Sequence, residues 1–107
     1  MKLSDVLERV PDSLAAAWVD ARTGELLESR CISADPHVSF GLEAMASILC
    51  SQERPHRTVL LSATHVFIAQ RPSPESIQVL LVVCARAANL GFSISAVRTV
   101  ATAVESA

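Results

Sequence analysis

The spacing of apolar positions switches repeatedly between helical and strand-like periods along this chain, and most switches fall at proline, glycine or Asp/Asn signals. Leu3, Val6, Leu7 and Val10 recur at helical spacing and predict a short first helix over residues 4–10. Ser4 or Asp5 can start it by accepting hydrogen bonds from unpaired first-turn amides, and Pro11 stops it. Residues 14–19 form an apolar run that reads as a strand, with Trp18 its largest side chain. Asp20-Ala-Arg-Thr-Gly24 reads as a turn, with Gly24 placed for positive φ. Residues 25–32 are the return strand, in which Glu28 and Arg30 share one face.

Asp35-Pro36 marks the next helix start, Asp as cap and Pro as first helical residue. The helix is expected to run to Cys50 or Ser51. Val38, Leu42, Met45 and Leu49 make one stripe along it, and Phe40, Ala44, Ala46 and Ile48 widen the apolar surface beyond that stripe. Glu43 is the one charge between Val38 and Cys50. A helix apolar nearly all round needs cover on more than one side, and a single sheet face cannot supply it. This helix is therefore the candidate for contact with a second subunit. Residues 58–63 and 65–70 read as strands around a bend near Ala63-Thr64, and 71–76 is a proline-rich hairpin loop. Residues 77–84 form a β-branched and aliphatic strand with the pattern of full burial. Asn89-Leu90-Gly91 breaks it, and Ile94, Val97, Val100, Ala101 and Val104 then return to helical spacing.

Composition adds a reason to expect self-association. The 107 residues suit one domain over 1–107, yet half are hydrophobic and 19% are charged. So small a domain leaves part of that apolar surface outside its own core, and an exposed apolar patch marks an interface. The net charge of −2 and the scattered bases argue against nucleic acid. Arg54-Pro55-His56-Arg57, the nearest approach to a basic cluster, reads as a solvated loop. The apolar stretch over 79–85 is far short of the ~20 residues that span a bilayer. The first residues lack the apolar run of a signal peptide, so a cytoplasmic location is expected. Cys31, Cys50 and Cys84 are odd in number and widely spaced, which fits reduced, buried thiols.

Catalytic chemistry finds little support. An enzyme needs a nucleophile, a base and a stabilising group within mutual reach. Cys84 sits in an apolar strand, where a thiol is a poor nucleophile. His37, His56 and His65 fall in three segments without metal-ligand spacing, and Gly24, Gly41 and Gly91 form no phosphate-binding loop. Trp18 reads as core and Asp20 as a backbone-bonding turn residue. A non-enzyme without cofactor or metal is expected.

Three segments together resemble the Roadblock/LC7 family. They are the hairpin Ala17-Trp-Val-Asp-Ala-Arg-Thr-Gly-Glu-Leu-Leu27, the strand Thr64-His-Val-Phe-Ile-Ala-Gln70, and the joint Ala88-Asn89-Leu90-Gly91 followed by Ser95-Ala-Val-Arg98. The resemblance spans residues 14–104. It implies an α+β, profilin-like Roadblock fold in the order αββαβββα. A five-stranded antiparallel sheet would carry the middle helix on one face and the first and last helices on the other. It also implies a homodimer that joins edge strands and packs the two middle helices together. The implied contact surface is Val38, Phe40, Leu42, Met45 and Leu49, with Val59 and Leu61 on the edge strand and Arg54 and Arg57 at the rim. By the same resemblance the chain would bind and regulate or scaffold a small Ras-like GTPase, as bacterial members do, with modulation of GTP hydrolysis as one route. Arg22, Arg54 and Arg57 are the arginines available for insertion beside a transferred phosphate, although surface charge is the plainer reading of each. The alternatives are an adaptor subunit of a larger complex without a GTPase partner, and a small-molecule sensor. The sensor needs a pocket with converging polar groups, and the strands offer almost none. Compared with richer members, the first helix is short and no extension follows the last.

Overall fold

The structure is a computed structural model that describes residues 2–51, 57–86 and 89–106, with the side chains of residues 51 and 104–106 left aside. The elements follow the order α1 (Leu3–Arg9), β1 (Ser13–Asp20), β2 (Leu26–Cys31), α2 (Pro36–Ser51), β3 (Arg57–Leu61), β4 (His65–Gln70), β5 (Gln78–Ala85) and α3 (Leu90–Ser106). This is the expected αββαβββα order, with the predicted strand and helix boundaries shifted by two residues or fewer. The strands form one antiparallel sheet in the order β2-β1-β5-β4-β3. β1 and β5 lie at its centre, which explains their near-continuous apolar sequence: both faces of each strand are covered.

The sheet separates two cores. On one face Leu3, Val6 and Val10 from the α1 segment and Val97, Val100 and Ala101 from α3 pack on Ala16, Val66, Ile68, Leu80, Val82 and Cys84. On the other, Val38, Leu42, Met45, Ala46 and Leu49 of α2 pack on Ala15, Ala17, Val19, Ala69, Val79, Leu81 and Val83. The alanines of β1 let both helix layers approach closely. The expected placement of one helix on one face and two on the other is what the structure has.

Local signals account for most boundaries. The Asp35 carboxylate accepts the His37 backbone N–H at 2.9 Å, so Asp35 caps α2 with Pro36 at its first position. The first helix begins earlier than predicted. Lys2 occupies the cap position, and the Asp5 carboxylate reaches back to the Lys2 backbone N–H at 3.2 Å. Asp12 takes φ +60°, a conformation Asp tolerates better than most residues, in the turn from α1 to β1. Gly24 takes φ +75° as expected, and its bare Cα also fits against α2: a Cβ there would lie 3.1 Å from both Ala46 O and Cys50 Sγ.

Two expectations are corrected. β3 ends at Leu61 rather than Ala63, because the Ser62 backbone bonds His65 O and its hydroxyl accepts the N–H groups of Thr64 and His65, closing the turn there. The cysteines are not uniformly buried: Cys31 is exposed on an edge strand, Cys50 is half-buried and Cys84 is buried. Burial pushes the Cys84 thiol up to about 11, against a lowering hydrogen bond with Ser93. Arg71 opens the 71–76 loop where the sequence places it; it is buried there, and its guanidinium donates to Ser76 O across the loop.

Candidate protein-protein interface

The predicted contact surface divides in two when placed on the fold. Val38, Leu42, Met45 and Leu49 are at most 5% exposed and belong to the core beneath α2. Their stripe is the one that faces the chain's own sheet, so these four are corrected from surface to core. Phe40, at 65% exposure, stands on the opposite side of the helix. With Ala44 and Ile48 it forms a second apolar stripe at i, i+4 and i+8, with Gly41 beside it. The sequence showed both stripes but could not say which one the sheet covered.

β3 is an edge strand, and its two sides differ. Leu60 pairs with Phe67, so it lies on the α2 face; Val59 and Leu61 pair with Ile68 and Val66, on the α1/α3 face. Val59 is half-buried against that core, while Leu61 is exposed. α2 packs on β1, β2 and β5, and a groove of about 190 Å³ remains between it and β3. Gly41, Ala44, Met45 and Ile48 of α2 line this groove, with Leu60, Leu61, Ser62 and Phe67 on the sheet side. Among the described residues no charged side chain lines it. Gly41 sets its depth. A Cβ at that position would fall 2.5 Å from the Phe67 ring, so glycine lets the ring lie against the helix backbone. Gly41, Leu60 and Phe67 are site residues that the sequence reading did not single out, and Ala44 and Ile48 were read only as widening the apolar surface of α2; the missing information was which side of α2 faced out.

The arginines are engaged. Arg57 donates from Nε to Gln70 Oε1 at 3.0 Å across the β3–β4 pair. Arg22 binds Asp20 through Nε at 3.3 Å and Nη2 at 3.1 Å, and its backbone N–H reaches the same carboxylate at 2.8 Å. These bonds, the side-chain one first, hold the Asp20 carboxyl below the ordinary carboxylate range. Asp20 thus shapes the β1–β2 turn, as its sequence position suggested. Arg54 lies outside the described residues. Among the described residues there is no cluster of three or more His, Cys, Asp or Glu arranged for a metal ion, and no helix long and apolar enough to cross a membrane.

This layering of two helices, a five-stranded antiparallel sheet and one helix, with an open groove between the middle helix and an edge strand, is the Roadblock/LC7 fold. The Roadblock/LC7 domain from Streptomyces avermitilis superimposes with a TM-score of 0.69 at 14% identity, covering 97% of this chain and 92% of that one. An MglB structure with a tetrameric arrangement gives 0.71 at 17% identity, covering 95% and 81%. MglC from Myxococcus xanthus gives 0.67 at 16% identity, covering 97% and 93%. No family model and no curated protein sequence matches the chain.

Proposed function

We propose that this chain is a non-catalytic homodimeric regulatory adaptor of the Roadblock type that binds a small Ras-like GTPase. The observation that carries the reading is the uncovered apolar face made by Phe40, Ala44 and Ile48 of α2 and continued by Leu60 beside the free edge of β3. A monomer gains nothing from exposing this surface, whereas a second copy can cover it by packing α2 on α2 and β3 on β3. The contact surface proposed from the structure keeps Phe40 and Leu61 and replaces the four core residues with Ala44, Ile48 and Leu60. The likeness to MglB and MglC supports a regulatory adaptor, and the resemblance of the chain's segments to Roadblock/LC7 members directs the search for a partner to Ras-like GTPases. Arg22 is held by Asp20 and Arg57 by Gln70, which favours ordering of the GTPase's own residues over insertion of an arginine.

Light scattering across a concentration series tests the dimer. Wild type is expected to remain dimeric at low micromolar concentration, and Ile48→Arg and Leu60→Arg to become folded monomers. Unchanged mass in both variants would remove this face from the interface. The partner is tested by pull-down of Ras-like GTPases from the same genome, loaded with GDP or a non-hydrolysable GTP analogue. A nucleotide-dependent capture supports the reading; a stable dimer that captures none in either state indicates the adaptor without a GTPase.

A further inference from the structure

The sheet has a second free edge, at β2, on the side away from the groove. Among the described residues β2 pairs with β1 alone, and all but the first of its residues are exposed. Natural edge strands are commonly blunted by charged side chains, proline or bulges; Leu26–Cys31 has no proline, its one bulge falls at Leu27 near its start, and its two charges, Glu28 and Arg30, are of opposite sign. Apolar side chains stand at both ends of it: Leu27 is 46% exposed and Ile32 62%. Between them Glu28 and Arg30 lie opposite Trp18 and Ala16, so both belong to the α1/α3 face of the sheet. Both side chains are exposed, and neither enters the Arg22–Asp20 pair.

The hydrogen-bond pattern fixes which backbone groups are available. Ile32 donates its N–H to Leu14 O at 2.9 Å, in register with Arg30 on Ala16 and Glu28 on Trp18. Bonded positions alternate along an antiparallel ladder, so 28, 30 and 32 turn their backbone groups to β1. Ser29 and Cys31 turn theirs outward. A second β2 strand running antiparallel must place outward positions against outward positions, and three central registers satisfy this. A two-fold axis at residue 28 sets Glu28 against Glu28, and an axis at residue 30 sets Arg30 against Arg30. Like charges directly opposite are destabilising. An axis at Ser29 instead sets each Glu28 against the second copy's Arg30, twice, in the non-bonded pairs where side chains come closest.

We propose that β2 is a self-association edge, at which two copies of this chain pair antiparallel about Ser29 with Glu28 opposite Arg30. The occupant is a second copy because the strand's charge pattern is complementary to its own reverse. This edge is separate from the α2–β3 face and does not depend on it. Where both are used, dimers join end to end into a longer sheet.

Cysteine cross-linking and charge exchange test this together. In a Cys31→Ser, Cys50→Ser background, Ser29→Cys places two thiols at the axis, with Cα atoms about 5.5 Å apart, inside disulfide reach. Mild oxidation is expected to link Ser29→Cys chains well ahead of a Ser95→Cys control on α3. In sedimentation velocity, Glu28→Arg and Arg30→Glu are each expected to weaken the association on the order of tenfold, and Glu28→Arg with Arg30→Glu to restore it. Circular dichroism melts establish that each variant is folded. The proposal is overturned if Ser29→Cys links no faster than the control, or if the double exchange fails to recover what the single exchanges lose. Because the cross-link reads the β2 edge alone, its result is the same whether or not the α2–β3 dimer forms.

Discussion

At the scale of single residues, function-bearing positions are set by which small or polar group the packing demands. Gly41 is a helix-interior glycine, ordinarily unfavourable by about 1 kcal/mol against alanine, and it persists where the Phe67 ring takes the space of a Cβ. Asp20 shows how a candidate catalytic acid resolves into a turn residue: its carboxylate is occupied by the backbone and side chain of Arg22. That pairing makes a prediction with a definite sign. The native carboxyl holds its proton less tightly than an unfolded one, so the unfolded chain binds more protons in acid. The stability from Asp20 is therefore present above about pH 4, the ordinary carboxylate value, and lost as pH falls through the lower native value. Asp20→Asn is expected to melt below wild type at pH 7, with the gap narrowing at pH 3. A gap that stays constant across thermal melts at the two pH values would point away from the Arg22 pair.

At the scale of elements, α2 carries two apolar stripes with different jobs. Val38, Leu42, Met45 and Leu49 hold the helix to the sheet, while Phe40, Ala44 and Ile48 face outward. Substitutions on the two stripes should separate in kind. Met45→Glu buries an uncompensated charge and is expected to lower stability on the order of 4 kcal/mol in urea unfolding. Ile48→Arg is expected to change the unfolding midpoint of the monomer little and the solution mass strongly. Equal loss of stability from both would mean that the outer stripe also belongs to the core. The helix signals themselves were plain in the sequence: Asp35-Pro36 predicted the start of α2, and the structure places the cap there. Strand ends were less plain, since the Ser62 turn that stops β3 uses a side-chain bond with no periodic signature.

At the scale of the whole molecule, the two sheet edges differ in chemistry. The β3 edge adjoins an uncharged groove, and the β2 edge carries an alternating acid and base. Association at the two edges is expected to respond oppositely to salt. Exposed opposite charges are screened within about 3 Å at 1 M salt, whereas apolar burial is not weakened by it. Sedimentation from low salt to 1 M NaCl is therefore expected to dissolve contacts at β2 and to leave α2–β3 dimers intact. Loss of the dimers and retention of larger species would reverse the assignment of the edges.

The sequence by itself determined the element order and the turns at Gly24 and before α2, because these follow from local periodicity and from residues such as Gly24 and Asp35 whose backbone preferences act within a few positions; the layering was expected only through the Roadblock/LC7 resemblance. It also determined that α2 had too much apolar surface for one sheet face. Only the tertiary structure decided which stripe of that helix was spare. A helix projects side chains all round, and its apolar positions name a buried side only after the sheet has taken one. The same holds for the edges: the run Leu26–Cys31 reads as a strand in any position, and its self-complementary charges acquired a meaning when the fold left that strand unpaired on its outer side.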